Sequence, residues 1–178
     1  MTEIGVATVK TVLVVDDSLT IRKAIVEIID EQADFQVIGE ACEGQQACEM
    51  VQRLRPDVIT MDMMMPQMNG LEATRYIMAH CPTPILIISA STNRGELMKT
   101  YDALSAGAVS VVEKPGARSI DDDNWERNLL AELRLVAKIL VVRHHGGSKD
   151  ISKDASKSDN NSQRQMTLPE TKRVYTHV

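Results

Sequence analysis

The sequence predicts a doubly wound α/β domain, in which a parallel sheet of five strands carries helices on both faces. Short β-branched apolar runs alternate with amphipathic helical stretches between residues 10 and 142, the signature of successive βαβ units. The strand-like runs are apolar at nearly every position rather than at every second one, as expected of strands covered on both sides. Acidic residues, a serine and a lysine fall at the ends of those runs, each before a loop that leads into a helix.

The strands are predicted at Thr11 to Asp16, Phe35 to Glu40, Asp57 to Asp62, Pro84 to Ala90 and Ser110 to Glu113. Between them the apolar period becomes helical. Ile21, Ile25, Ile28 and Ile29 mark the first helix, with Ser18 placed to cap its free N–H groups. Ala47, Val51 and Leu54 mark the second, and Leu71, Ile77 and Met78 the third, entered through Gly70 after a loop that Pro66 rigidifies. Leu97, Tyr101 and Leu104 mark the fourth, which Gly107 is placed to stop. Leu129, Leu133, Val136 and Leu140 form a continuous stripe on the fifth, with Trp125 packing its start.

This pattern makes one domain over residues 10–142, followed by a polar segment, 143–178, rich in Ser, Lys, Asp and Asn and read as a disordered tail or linker. His144 and His145 belong to that segment, and His80 reads as a helix-end residue favoured by the dipole. A formal charge of −5 argues against nucleic acid as the main partner, and no helix-turn-helix follows the domain. No run approaches the roughly 20 apolar residues that span a bilayer, and the N-terminus lacks the apolar stretch of a signal peptide. Cys42, Cys48 and Cys81 show no paired C-x-x-C spacing. The expectation is a soluble, cytoplasmic protein with no membrane insertion.

Asp16 and Asp17 close the first strand, Asp62 the third, Ser89 the fourth and Lys114 the fifth. Ligands of open α/β sheets bind outside the carboxyl ends of the strands. In a 2-1-3-4-5 order the first and third strands lie side by side, so the three aspartates converge on one crevice. Carboxylates crowded this way repel one another unless a cation sits among them. A hard divalent cation, Mg2+ or Mn2+, suits such an oxygen set. Asp17 and Asp62 are expected as direct ligands, Asp16 through water, and the main-chain carbonyl of Met64 as a further donor. Asp62 is then the nucleophile toward a phosphorylated donor, with Lys114 and the Ser89 hydroxyl holding phosphoryl oxygens. Singly, each of these residues is an ordinary strand-end side chain; the set carries the reading. The run Met63 to Met65 reads as loop packing, since a soft-metal site would also recruit cysteine or histidine.

In order, VLVVDDS, VITMDMMMPQMNG, ILIISAS and AGAVSVVEKP resemble the bacterial two-component response-regulator receiver domains, over roughly residues 10 to 142. The wording is nearest the receiver of chemotaxis protein-glutamate methylesterases, through DVITMDMMMPQMNGLEATRYIM, PTPILIISAST and GAVSVVEKP. The resemblance implies a flavodoxin-like sheet of order 2-1-3-4-5 and a functional set on Asp16, Asp17, Asp62, Ser89 and Lys114. It also implies a cis Lys114–Pro115 bond, a histidine kinase as phosphate source, and a downstream protein partner at the fourth and fifth helices. Two departures stand out. Val111 occupies the place three residues before the lysine where a switching aromatic ring is common in the family. The expected methylesterase domain, with its serine nucleophile, does not follow. The function implied is a phospho-acceptor switch of a chemotaxis-like system, with no enzymatic activity beyond metal-assisted phosphorylation and dephosphorylation of Asp62; the alternative is a regulatory fragment of a methylesterase. A dehalogenase-type phosphatase would need an acid at Ser18, and a nucleotide-binding module a Gly-rich loop after the first strand.

Overall fold

A computed structural model describes residues 8–90, 94–115 and 123–141. Five strands are found, β1 (Lys10–Val15), β2 (Phe35–Ala41), β3 (Val58–Asp62), β4 (Ile85–Ser89) and β5 (Ser110–Glu113). They alternate with five helices, α1 (Leu19–Asp30), α2 (Gly44–Leu54), α3 (Gly70–His80), α4 (Arg94–Ser105) and α5 (Asp123–Val136). All pairings are parallel, in the order β2-β1-β3-β4-β5. Predicted and observed strand ends differ by at most one residue. The segment 143–178, with His144 and His145, lies outside the described residues.

Alternation along each strand sorts the core into two layers. Leu13, Val15, Ile59, Met61, Ile85 and Ile87 face α2, α3 and α4, where they meet Ala47, Val51, Ala73, Ile77 and Ala103. Val12, Val14, Val58, Leu86, Ile88 and Val112 face α1 and α5, where they meet Ile25, Ile29, Leu129 and Leu133. Each such aliphatic side chain removed from water contributes roughly 1.5–3 kcal/mol before entropy is counted. Trp125 joins the second layer, and its indole N–H donates to the Glu113 carbonyl at 2.8 Å, which fastens α5 to β5.

Helix ends explain how the loops reach the site. Ser18 caps α1, its hydroxyl accepting from the Ile21 N–H at 3.5 Å. At α3 a reciprocal capping box forms between Asn69 and Glu72. Gly70 is required there for a further reason: a Cβ would overlap the Asp62 carbonyl, so only glycine lets α3 start directly against the end of β3. Gly107, at φ +112°, ends α4 in a conformation that side chains rarely adopt.

Three expectations need correction. Leu140 lies past the end of α5, which stops at Val136, and is 92% exposed, because beyond the helix the 3.6-residue period no longer returns a side chain to the core face. Tyr101, expected on the inner stripe of α4, is exposed; Leu104 faces the core as expected, joined by Thr100 and Ala103. No cis peptide occurs among the described residues, so Lys114–Pro115 is trans. The trans isomer is the intrinsic preference even before proline, and from it the Lys114 side chain already reaches the acidic cluster.

Candidate functional site

The carboxyl edge of the sheet brings together four of the predicted residues. One carboxylate oxygen from each of Asp16, Asp17 and Asp62 lies within 4.8 Å of the others. Asp16 and Asp62 are buried and Asp17 is exposed. The Lys114 ammonium spans the buried pair, 2.9 Å from Asp16 Oδ2 and 3.0 Å from Asp62 Oδ1. Adjacent β1 and β3 supply the aspartates, and Lys114 arrives from the far edge strand, past β4.

Local hydrogen bonds hold the acidic turn after β1. The Ser18 N–H donates to Asp16 Oδ1 at 2.9 Å, the Asp16 N–H to the Ala41 carbonyl at 3.1 Å, and Arg22 Nη1 to the Asp16 carbonyl at 2.7 Å. Arg22 is in turn oriented by Glu40, 3.2 Å from its Nε. Opposite, the Met64 N–H donates to Asp62 Oδ1 at 3.2 Å. Met64 thus meets the site through its amide. Its side chain is 45% exposed, whereas Met63 and Met65 are buried in the core, as expected of loop packing.

Burial dominates the electrostatics. It pushes the Asp62 carboxyl up to about 6; the Lys114 ammonium and the Met64 N–H pull against that, and Asp16 adds repulsion. Asp16 is likewise raised by burial, with Lys114 opposing. Burial disfavours the Lys114 charge, but its two carboxylate partners more than offset this and hold its pKa above the usual lysine value.

Asp62 Oδ2 is buried with no hydrogen-bond partner among the described residues. A buried oxygen left unsatisfied costs about 1–3 kcal/mol, and more when it is charged. Three clustered carboxylates, one carrying an unpartnered oxygen, make a hard all-oxygen donor set that fits a small divalent cation.

Ser89 closes β4, where it is buried beside the cluster's strand. Its carbonyl accepts the Lys114 N–H at 2.9 Å and its hydroxyl accepts from Thr100 Oγ1 at 3.3 Å. Sequence reasoning missed Arg22 and Thr100. Arg22 stands four residues beyond the α1 cap, a position shared by many surface arginines, and nothing in its spacing signals a contact with the Asp16 carbonyl.

Comparison with known proteins bears on this geometry. A family model described as the response regulator receiver domain matches residues 12–122. A protein-glutamate methylesterase/protein-glutamine glutaminase of Myxococcus xanthus is 44% identical over 133 residues, which cover 74% of this chain and 37% of the relative. Another from Syntrophus aciditrophicus is 41% identical over 140 residues, 79% of this chain and 40% of the relative. The chain thus spans about 40% or less of the length of these curated relatives. Among solved structures, the response regulator domain of Thermotoga maritima CheB superposes with a TM-score of 0.67 at 39% identity, covering 74% of this chain and 98% of that one. The chemotaxis protein CheY4 of Vibrio cholerae gives 0.59 at 29% identity, covering 72% and 99%.

Proposed function

This chain belongs to the response regulator receiver domain family, and from that premise we propose that it is a phospho-acceptor switch in which Asp62 takes a phosphoryl group from a histidine kinase. The observation that carries the assignment is the setting of Asp62 itself: buried, with Oδ1 engaged by Lys114 and the Met64 N–H and Oδ2 without a hydrogen-bond partner among the described residues. A carboxylate held on one oxygen and unpartnered on the other keeps a lone pair uncommitted for attack on phosphorus.

As the open oxygen bonds to phosphorus, the P–N bond of the phosphohistidine breaks, and its electron pair returns to the imidazole. Positioning and charge stabilisation do most of the work in such a transfer. Lys114, already between Asp16 and Asp62, is placed to take up a phosphoryl oxygen, and the Ser89 hydroxyl to donate to another. Asp17, Asp62 and the Met64 main-chain carbonyl would hold Mg2+ or Mn2+ directly and Asp16 through water; bound there, the ion neutralises charge on the phosphoryl oxygens. The test is labelling by a small phosphodonor in magnesium. Asp62→Asn is expected to abolish it, and full stoichiometric label on the variant would overturn the assignment.

The similarity to methylesterases supports a place in a chemotaxis system. It also supports a second reading, in which this receiver is the regulatory part of a longer methylesterase, because the match occupies well under half of those relatives. The size of the protein recovered from its native cells by antibody to this domain separates the two. In either case the output surface is expected on α4 and α5, where Met98, Tyr101 and Leu135 are exposed. No helix among the described residues is long and apolar enough to cross a membrane.

A further inference from the structure

We propose that Thr60 is a positioning residue for the reaction at Asp62, acting through one buried water that its hydroxyl holds beneath the carboxylate. The inference rests on the reading of Asp62 as phosphoryl acceptor and adds what fixes that carboxylate from within the sheet.

Thr60 lies two residues before Asp62 on β3, so alternation sends both side chains to the face that α1 and α5 cover, in step with Val58. Both are buried, Thr60 at 0% and Asp62 at 1% exposure. Among the described residues the Thr60 hydroxyl and Asp62 Oδ2 each lack a hydrogen-bond partner. The strands beside Thr60 supply none: its neighbours are Val14 on β1 and Leu86 on β4, aliphatic and fully buried, with Val58 below it on β3. One step up the same face stands Asp62. Val15 pairs with Met61, which sets Asp16 next to Asp62, and the Lys114 ammonium spans the two.

Residues two apart on a strand are separated by about 6.6 Å, twice the rise per residue. That is too far for parallel side chains of this length to bond directly, and close to the span of two O–H···O bonds in series, about 2.7–2.8 Å each. Buried waters typically make about three hydrogen bonds to polar groups that are otherwise unsatisfied. Here the water accepts from the Thr60 hydroxyl and donates to Asp62 Oδ2 and to Asp16 Oδ2, which also faces the Lys114 ammonium at 2.9 Å. Each carboxylate oxygen has two lone pairs. The water takes the one on Oδ2 that faces the sheet and leaves the other for phosphorus. Gripped on Oδ1 by Lys114 and the Met64 N–H and on Oδ2 by the water, the carboxylate cannot turn about its Cβ–Cγ bond and stays aligned for attack. Thr74 offers a contrast: its hydroxyl is also buried without a partner among the described residues, but it sits on α3, on the opposite side of the sheet from the acids.

Two measurements on the full chain test this. A high-resolution crystal structure is expected to show an ordered water within hydrogen-bond distance of both Thr60 Oγ1 and Asp62 Oδ2, and its absence there would overturn the water site. The rate of labelling by acetyl phosphate in saturating magnesium reads the positioning. Thr60→Val, which keeps the shape and removes the hydroxyl, is expected to slow it about three- to tenfold, the range of one net hydrogen bond. Thr60→Ser, which restores the hydroxyl, is expected to label as wild type. Thr74→Val, which deletes the buried hydroxyl on the far side of the sheet, is expected to leave the rate unchanged. A hydroxyl that merely lay buried without a partner would make Thr60→Val the more stable protein and leave its rate alone. A wild-type rate in Thr60→Val, or equal slowing by Thr74→Val, would therefore overturn the role of Thr60. Failure of the underlying reading looks different: the wild type would take no label, or Asp62→Asn would take as much, while the water is still read in the crystal.

Discussion

Asp57 stands just before β3 and Asp62 closes it, so one strand carries an aspartate at each end. The Asp57 carboxylate is completed by the protein. Its Oδ2 accepts from the Thr11 N–H and from the Thr11 hydroxyl, each at 2.8 Å, and Lys10 approaches Oδ1 at 3.4 Å. Burial works against this charge, yet the Thr11 donors and Lys10 hold the carboxyl below the usual aspartate range. At Asp62 burial prevails, the carboxyl rises to about 6, and Oδ2 finds no partner among the described residues. The end of the strand that stabilises the fold is chemically closed. The end proposed to accept phosphate is left open to a ligand.

Substitutions can break this contrast, and the largest effect is expected at Lys114. Lys114→Met leaves two buried carboxylates without a counter-ion, and in EDTA urea denaturation should show a loss of about 3–5 kcal/mol. Adding magnesium should restore part of it, since a ligand that binds only the native state stabilises it. An unchanged midpoint would mean the two carboxylates are not a stored electrostatic cost.

Asp57→Asn is expected to lose about 1–2 kcal/mol at neutral pH, the worth of charge-assisted hydrogen bonds discounted for partial exposure, with no response to magnesium. Its pH dependence has a definite sign. A carboxyl depressed in the folded state stabilises above its unfolded pKa, near 3.8, and that contribution is lost as pH falls through the lower folded value. The gap between wild type and Asp57→Asn should therefore narrow below about pH 4 in urea midpoints; a gap that widens there would contradict the closed-end description.

Arg22→Met sharpens the account of the open end. By charge alone, deleting a cation near the acids should tighten a divalent ion. By position, losing the 2.7 Å anchor on the Asp16 carbonyl should loosen the turn. We expect position to win, with Mn2+ affinity read by electron paramagnetic resonance falling about tenfold, equivalent to roughly 1.4 kcal/mol, and with Arg22→Lys intermediate. Tighter binding would assign Arg22 a purely electrostatic role. The smallest effect is expected from Lys10→Met, within about 0.5 kcal/mol, because its ion pair with Asp57 is exposed and long. Lys10 and Lys114 both sit beside a β3 aspartate; only their surroundings differ.

The architecture was legible because both of its signals are local. Apolar runs and helical periodicity can be read within a dozen residues, and the order of strands brings Asp16, Asp17 and Asp62 together without further information. Lys114 was legible by its place after the last strand. Arg22, Asp57 and Thr100 were not: the Asp57 partner lies 46 residues away, and the contacts of Arg22 and Thr100, though near in sequence, cross between a strand end and a helix in a way that no periodicity marks. Thr11 reads as an ordinary strand residue until β3 is laid beside it. The trans Lys114–Pro115 peptide and the exposed Tyr101 and Leu140 also depend on packing geometry that periodicity does not encode.

The lysine bridge between Asp16 and Asp62 has one more consequence, for how the domain is made. Because Lys114 supplies a resident positive charge from β5, the last strand to be synthesised, the sheet can close around its acids without waiting for an ion. On the proposed reading, assembly and arming are separate events: the lysine bridge neutralises the acids in the folded domain, and metal and phosphate act on a sheet that is already closed.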